Sequence, residues 1–297
     1  MIRALHLRVD TLADGTPVEV GVQLSGDPAC TPVLYCHGGP GDSCNPLLHK
    51  LFDPKKYYVC LVDQRGCGTS RPRNHLAKNN TKLLLRDMAQ IQAEVFEDRP
   101  MVLAGGSWGT SLAMLYALKH PKKVRGLILR GVYDLSSDET VLDALYPEQK
   151  DVLRDIMPHP TKRNIEKALR VEGSRKTRLV RALGQENGMY VVGKAPKKNK
   201  GEYKDLETLA LVGNHYELNH YFVNPKTLVN RVHLLKMPVI MVDGRFDPIT
   251  PMKIAYSMCK KIKNCDLRTV PAGHTFKEPN LFKALRKASD DMHKLLA

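Results

Sequence analysis

The sequence predicts an α/β fold in which a mostly parallel central sheet carries helices on both faces and an inserted helical cap. Three observations lead to this prediction. Short apolar runs alternate with stretches of helical periodicity up to about residue 133, the alternation resumes near residue 233, and the charged region between them has helical periodicity without strand alternation. We therefore assign residues 1–133 and 233–297 to one core and residues 134–232 to the cap.

The first 62 residues are predicted to form a hairpin and two buried strands. The hairpin strands cover Ala4–Val9 and Val18–Leu24, because the turn sequence Asp-Gly-Thr-Pro lies between them at residues 14–17. The buried strands cover Pro32–Cys36 and Tyr57–Val62. Their short apolar runs are typical of parallel strands that are covered on both faces.

Glycine-rich loops follow both buried strands. Residues 37–41, His-Gly-Gly-Pro-Gly, leave backbone N–H groups available to a ligand, as in the loop that supplies half of an oxyanion hole. Residues 63–70 are polar and charged. There we expect Asp63 and Arg65 to brace the loops by hydrogen bonds rather than to take part in chemistry.

One serine lies between a predicted strand and a predicted helix in a glycine-rich turn. Pro100–Ala104 reads as a buried strand and Ser111–Leu118 as a helix, and the turn between them is Gly-x-Ser-x-Gly at Gly105, Ser107 and Gly109. This strand-turn-helix arrangement is typical of a nucleophile elbow, where bulkier flanking residues collide with the backbone. Ser107 is therefore the candidate nucleophile.

The remaining elements follow from periodicity. The core helices are predicted over Leu83–Phe96, Pro251–Lys260 and Pro279–Leu296, and the core strands over Val124–Val132, Pro238–Val242 and Asp266–Val270. The first of these helices should expose an acidic face made of Asp87, Glu94 and Glu97. Helix-forming stretches in the cap are Thr140–Leu145, Ile165–Val171, Arg178–Leu183 and Leu206–Leu218.

Composition limits the partners of the 297-residue chain. Its formal charge of +15 is compatible with a nucleic-acid partner, but the lysines are scattered and the densest cluster, residues 194–201, has no interleaved aromatic residue. No apolar run approaches the roughly 20 residues that span a bilayer, and the N-terminus lacks the form of a signal peptide. We expect a cytoplasmic protein that binds neither nucleic acid nor membrane. Its oligomeric state is left open.

The seven cysteines show no metal-binding spacing. They include no Cys-x-x-Cys pair. We therefore predict reduced thiols rather than disulfides or a metal site.

A serine nucleophile needs a base and a carboxylate that orients it. Asp247 and His274 follow Ser107 in the order Ser, Asp, His, and each lies just beyond the end of a predicted strand. Asp243 competes with Asp247 but is still at the end of its strand, and His37 is better suited to ordering its own loop. In this arrangement His274 takes the serine proton and Asp247 stabilises the imidazolium.

The developing oxyanion needs N–H donors. The backbone of Trp108, directly after the nucleophile, and that of Gly39, in the loop at residues 37–41, are the candidates.

Together these motifs resemble the proline iminopeptidase family of α/β hydrolases. The resemblance is carried by His37-Gly-Gly-Pro-Gly, Asp63-Gln-Arg-Gly-Cys-Gly-x-Ser, Gly105-Gly-Ser-Trp-Gly, Gly244-Arg-Phe-Asp and Ala272-Gly-His. It implies the α/β-hydrolase fold, removal of N-terminal proline from small peptides by the serine mechanism, and no metal or organic cofactor.

The resemblance also implies an amine-binding glutamate in the cap. The family pattern Glu-Asn-His-Tyr-Phe corresponds here to Glu217-Leu-Asn-His-Tyr-Phe, in which the glutamate comes one position early. One residue on a helix is about 100° of rotation, so Glu217 requires a backbone shift or bulge to serve. Two alternatives stay open: an esterase or amidase with altered cap specificity, and a non-catalytic binding protein of the same fold.

Overall fold

Eight strands form one sheet in the part of the chain that the computed structural model describes, which is residues 2–135, 153–157, 159–184 and 203–297. The strands are β1 (Arg3–Thr11), β2 (Pro17–Ser25), β3 (Thr31–Cys36), β4 (Tyr57–Val62), β5 (Met101–Gly106), β6 (Val124–Arg130), β7 (Val239–Gly244) and β8 (Cys265–Val270). Their spatial order is β1-β2-β4-β3-β5-β6-β7-β8. The hairpin β1–β2 and the pair β2–β4 are antiparallel and all other pairs are parallel. The predicted mostly parallel sheet is thus confirmed.

The sheet is covered on both faces. Along β5 the side chain of Leu103 packs into one hydrophobic cluster, whereas Val102 and Ala104 pack into a second. Alternate residues of a strand point to opposite faces, so both faces of β5 are apolar. This is why the central strands appear in the sequence as continuous apolar runs.

Helices of the described residues flank this sheet and fill the connection between β6 and β7. They are α1 (Thr81–Phe96), α2 (Trp108–Lys119), α3 (Lys162–Leu169), α4 (Ser174–Gly184), α5 (Tyr203–Leu218), α6 (Thr227–Arg231), α7 (Met252–Cys259) and α8 (Pro279–Leu296). Short 3₁₀ turns cover Pro46–Leu51, Pro121–Lys123, His220–Phe222 and Val232–Leu234. Helix α8 buries the stripe Leu281, Leu285, Ala288 and Met292, the spacing expected of a helix packed on one side. No described helix is long and apolar enough to span a bilayer.

Of the three residues of the predicted acidic face, Glu94 and Glu97 are exposed and the prediction is wrong for Asp87. Asp87 on α1 is buried, and both of its carboxylate oxygens accept hydrogen bonds from the Arg65 guanidinium, at 2.5 and 2.7 Å. A bidentate arginine satisfies the carboxylate and so makes its burial tolerable. Arg65 therefore braces the loop after β4, as predicted, and Asp63 does the same by accepting from the backbone N–H groups of Cys44 and Thr69.

The cysteine prediction is wrong for one pair. Cys259 at the end of α7 and Cys265 at the start of β8 form a disulfide, with their Cα atoms 5.4 Å apart. The connection between the two elements returns the chain to within bridging distance, which six residues of sequence spacing do not reveal. The other five cysteines are free.

Helix α5 fastens the segment between β6 and β7 to the rest of the molecule. Arg73, in the loop after β4, pairs with Asp205 at 2.6 Å and donates from Nε to the hydroxyl of Thr208. The Tyr216 hydroxyl donates to Asn79 Oδ1 at 2.8 Å. The stretch Thr140–Leu145 and the lysine cluster at residues 194–201 lie outside the described residues.

Candidate active site

Ser107 lies on a sharp turn between β5 and α2. Its backbone has φ 53° and ψ −126°, a conformation that non-glycine residues rarely adopt. The flanking glycines allow the turn, because a Cβ on Gly105 would lie 2.5 Å from the carbonyl oxygen of Gly109. A Cβ on Gly109 would lie 2.1 Å from the carbonyl oxygen of Cys36. The Gly-x-Ser-x-Gly pattern therefore forms the elbow that its spacing predicts.

Asp247 and His274 meet beyond the ends of β7 and β8. His274 Nδ1 lies 2.7 Å from Asp247 Oδ2, and the Asp247 side chain is only 1% exposed. Asp247 Oδ1 accepts from the backbone N–H groups of Ile249 and Thr250. Burial acts to raise the pKa of Asp247, but the charge and hydrogen bond of His274 and the donors of Thr250 outweigh it and hold the pKa below its usual value. The carboxylate is thus ionised and fixed.

Ser107 and His274 both lie against the end of β6. The backbone N–H of Ser107 donates to the carbonyl oxygen of Arg130 at 2.8 Å, and the Nη1 of Arg130 donates to the carbonyl oxygen of His274 at 2.7 Å. A Cβ on Gly131 would lie 3.2 Å from His274 Cε1. The Ser107 turn and the His274 loop therefore both contact Arg130.

Asp243, the competing carboxylate, has a different environment. It is fully buried in β7, and its Oδ1 accepts from the backbone N–H of Gly131 at 2.8 Å. Its Oδ2 is buried without a hydrogen-bond partner. Burial, followed by the charge of nearby Asp247, raises the pKa of Asp243 to about 7. The carboxyl group that contacts the histidine is therefore Asp247, the one that the sequence favours.

The raised pKa of Asp243 predicts a pH-dependent stability. The folded protein holds this proton up to about pH 7, whereas an unfolded chain releases it near 3.8, so stability falls as the pH rises through this window. Asp243→Asn removes the effect, and one pKa unit corresponds to about 1.4 kcal/mol. Urea unfolding at pH 4 to 8 should show the variant gaining roughly a few kcal/mol on the wild type between pH 4 and 7. Parallel pH curves for the two proteins would contradict this.

His37 orders the loop that contains Gly39. The backbone N–H of Gln64 donates to His37 Nε2 at 2.9 Å, which places the ring proton on Nδ1, where it donates to the carbonyl oxygen of Gly38 at 2.8 Å. In a trans peptide the C=O and N–H point in opposite directions, so the N–H of Gly39 points away from the His37 ring. His37 therefore acts as the sequence predicts, on its own loop.

Gln64 connects this loop to the nucleophile turn. Its side chain donates to the carbonyl oxygen of His37 at 2.9 Å and accepts from the indole Nε1 of Trp108 at 3.0 Å. Trp108 is fully buried and is the first residue of α2, so its backbone N–H has no acceptor within the helix. The two candidate oxyanion donors are thus held by one hydrogen-bonded network.

Aromatic side chains from the end of α5 and the turn after it pack on Trp108. The Tyr221 ring lies 5.3 Å from the Trp108 ring, and the Tyr133 hydroxyl donates to the Tyr221 hydroxyl at 2.9 Å. Burial raises the pKa of Tyr221, and the charges of nearby Tyr133 and Glu217 raise it further. Glu217 is half-buried in the last turn of α5. Its carboxylate therefore lies close enough to act on a tyrosine that packs on Trp108.

The backbone adopts a left-handed conformation shortly after the end of α5. His220, Tyr221 and Phe222 have φ values of 47°, 54° and 53°, which is left-handed backbone at three consecutive residues. The family pattern in this stretch is thus not continued as a regular helix. The angle between the Glu217 and Tyr221 side chains therefore does not follow from the 100° rotation per residue of a regular α-helix.

Several supporting residues were not identified from the sequence. Thr250 donates its hydroxyl to Asp247 Oδ2 at 2.8 Å, a contact that its three-residue spacing could have indicated as a side-chain turn. The roles of Gln64, Arg130 and Tyr221 depend on loop packing and carry no local sequence signal. Among the described residues, no cluster of three His, Cys, Asp or Glu side chains is arranged to hold a metal ion.

Comparison with known proteins assigns the family. Residues 31–280 match the family described as alpha/beta hydrolase fold. The chain is 32% identical to a proline iminopeptidase from Neisseria meningitidis serogroup B in an alignment of 287 positions that covers 90% of each protein. It is 30% identical to a proline iminopeptidase from Arabidopsis thaliana, with 92% of this chain and 76% of the relative covered.

Solved structures agree on the fold. A thermophilic esterase from Thermogutta terrifontis superposes with a TM-score of 0.68 at 19% identity, covering 98% of this chain and 99% of the esterase. At that identity the likeness concerns architecture alone. Taken with the two iminopeptidase relatives, the sheet order and the elbow, it leads to one conclusion: the chain belongs to the proline iminopeptidase family of the α/β hydrolases and is an enzyme of that family.

Proposed function

We propose that the protein is a serine aminopeptidase that releases N-terminal proline from peptides. The observation that carries the proposal is the Asp247–His274 pair beside the Ser107 elbow, in a chain whose relatives are named proline iminopeptidases. His274 removes the proton of Ser107 as the hydroxyl attacks the prolyl carbonyl, and Asp247 stabilises the resulting imidazolium. The imidazolium then gives its proton to the departing amine as the amide bond breaks, which leaves the prolyl ester of Ser107. Water, deprotonated by His274, hydrolyses this ester, releases proline and restores the serine hydroxyl.

The proposed oxyanion hole consists of the backbone N–H groups of Trp108 and Gly39. Support comes from the hydrogen-bonded network of His37 and Gln64, which fixes the peptide group of Gly39 and the indole of Trp108. Preorganised donors need no rearrangement when the negative charge develops, and each one typically lowers the barrier by about 3 kcal/mol.

The proposed domain division gives residues 134–232 the role of a substrate-binding cap over a core formed by residues 1–133 and 233–297. Helix α5 supports this role, since it contacts the oxyanion loop directly. A Cβ on Gly41 would lie 2.8 Å from the Cα of Leu209 on α5. The end of the same helix carries Glu217, so docking of α5 fixes that carboxylate relative to the nucleophile.

Glu217 is the proposed anchor for the substrate amine. A half-buried carboxylate whose charge acts on Tyr221 can pair with the cationic imino group of an N-terminal proline while the proline ring contacts aromatic side chains such as Tyr221 and Trp108. The left-handed turn at residues 220–222 supplies the departure from helical register that the shifted glutamate requires.

Glu217→Gln should weaken substrate binding. We expect KM for proline β-naphthylamide to rise at least tenfold with a smaller change in kcat, because the lost ion pair acts on the amine and not on the scissile carbonyl. Hydrolysis of p-nitrophenyl acetate, which has no amine, should be unchanged. The control is Glu207→Gln on the same helix, whose carboxylate pairs with Lys176. An unchanged kcat/KM on the prolyl substrate would exclude Glu217 as the anchor.

One substrate comparison tests the proposed function. The wild type is assayed on proline β-naphthylamide, on N-acetylproline β-naphthylamide, which lacks the free amine, and on p-nitrophenyl acetate, with Ser107→Ala as the blank. The proposal expects turnover of the first amide and little of the second. Turnover of the acetate alone would support the esterase alternative. Wild-type rates equal to the blank on all three substrates would support the binding-protein alternative.

A further inference from the structure

Arg130 has a side chain whose position the proposed mechanism does not explain. It ends β6 with its guanidinium buried on the face of the sheet that packs against α8. Among the residues that the structure describes, no carboxylate lies within ion-pair distance of this guanidinium. Its Nε is buried without a hydrogen-bond partner. Burial of a guanidinium without a carboxylate partner lowers stability. We therefore ask what the contacts of the Arg130 side chain contribute to the site.

The guanidinium of Arg130 packs directly against Gly106, where any larger residue would collide with it. A Cβ on Gly106 would lie 2.1 Å from Arg130 Nη2 and 2.9 Å from Nε. Tyr35 on β3 belongs to the hydrophobic cluster on the same face of the sheet, and the positive charge of Arg130 opposes the rise in the Tyr35 pKa that burial causes. Gly106 is the residue directly before Ser107. The site is thus formed by the backbone of the nucleophile elbow.

Arg130 forms hydrogen bonds to both Ser107 and His274. Its carbonyl oxygen accepts from the backbone N–H of Ser107 at 2.8 Å, and its Nη1 donates to the carbonyl oxygen of His274 at 2.7 Å. The contact to Ser107 is a main-chain contact, whereas the guanidinium bonds to the His274 carbonyl and packs against Gly106. The side chain therefore connects the loop of His274 to the residue before Ser107. A guanidinium suits this task because its planar donors have fixed directions, unlike the rotating ammonium of lysine.

We propose that Arg130 is a positioning residue that sets the separation of Ser107 and His274. The inference rests on the proposed Ser-His-Asp mechanism and adds to it a determinant outside the three residues. Proton transfer from serine to histidine requires hydrogen-bond distance, and a misplacement of about 1 Å costs on the order of 100-fold in rate. The buried guanidinium fixes this distance by holding the carbonyl of His274 while it packs against the backbone of Gly106, directly before Ser107.

The test measures rates per active site. A fluorophosphonate that labels Ser107 counts the functional sites, so misfolded protein drops out of the comparison. Arg130→Met should lower kcat about 100-fold on both proline β-naphthylamide and p-nitrophenyl acetate, with KM within about twofold. The rate constant for labelling by the fluorophosphonate should fall by the same factor. Arg130→Lys, which restores one donor, should recover part of the loss.

Arg99→Met is the matched control. Within the part of the chain that the structure describes, the Arg99 guanidinium likewise donates to backbone carbonyl oxygens, those of Cys30, Pro28 and Phe96, but it lies in the turn that precedes β5. This variant should unfold at a lower temperature and keep the wild-type kcat per labelled site. A purely structural role of Arg130 would give its variants the same behaviour and would overturn the proposal.

A double-mutant cycle with Gly106→Ala probes the same contact without removing the charge. The added methyl group displaces the guanidinium, so Gly106→Ala should lower kcat in the wild type and cause no further loss in Arg130→Met. Independent, multiplicative losses would overturn the proposal. If Arg130→Met does not fold, Arg130→Lys and Gly106→Ala carry the test. Failure of the proposed function would look different, because the wild type itself would then not hydrolyse proline β-naphthylamide, whatever its variants do.

Discussion

Ser107→Ala is expected to abolish hydrolysis of proline β-naphthylamide, with a loss in kcat of roughly 10⁵- to 10⁶-fold. The turn holds residue 107 at φ 53°, directly before α2, and alanine there keeps the strained backbone but offers no nucleophile. The oxyanion donors and the binding contacts remain, so a small residual rate above the uncatalysed reaction is expected. Steady-state kinetics on the purified variant measure the loss.

Ser289→Ala is the control for this substitution. The Ser289 hydroxyl is buried on α8 and donates to the carbonyl oxygen of Leu51 at 2.6 Å, far along the chain from the elbow. Its loss should cost about 1 kcal/mol of stability and leave kcat unchanged. If Ser107→Ala retained more than a few per cent of the wild-type kcat, Ser107 would not be the nucleophile.

The architecture was predictable because burial is visible in local patterns. The bounds predicted for the strand Tyr57–Val62 and the helix Pro279–Leu296 are those of the structure. A strand covered on both faces has to be continuously apolar, and a helix packed on one side has to be periodic. These requirements act residue by residue, so the sequence reveals them without knowledge of the tertiary structure.

Features that depend on a distant partner were not predictable in this way. Asp87 looks like one more acidic residue on an amphipathic helix, and only the Arg65 side chain, 22 residues earlier, explains its burial. Cys259 and Cys265 lie in different elements, and the packing of α7 against β8 brings them together. In each case the decisive contact is tertiary.

In the candidate site, too, some features follow from local sequence patterns and others depend on tertiary contacts. The order and loop positions of Ser107, Asp247 and His274 follow from the strand-turn pattern, because parallel strands direct their following loops to one edge of the sheet. The supporting contacts of Gln64 and Arg130 depend on how those loops pack against each other. They carry no signal in a single sequence.

The second large effect is expected for Asp247→Asn, with a loss in kcat of about 10⁴-fold. Asp247 Oδ1 accepts from the backbone N–H groups of Ile249 and Thr250, so the amide oxygen of asparagine takes that position. The amide NH₂ then faces His274 Nδ1 and makes that nitrogen an acceptor. The ring proton moves to Nε2, and the histidine can no longer accept the proton of Ser107.

Asp243→Asn separates this effect from the loss of a nearby buried charge. The asparagine keeps an oxygen for the backbone N–H of Gly131, and residue 243 makes no hydrogen bond to His274, so kcat should stay within a few-fold of the wild type. Steady-state kinetics of both variants at pH 8, where Asp243 is ionised in the wild type, give the comparison. If Asp243→Asn lost most of its kcat while Asp247→Asn stayed active, the carboxylate that orients His274 would be Asp243. Equal losses would mean that the histidine depends on the summed negative charge rather than on the tautomer that Asp247 selects.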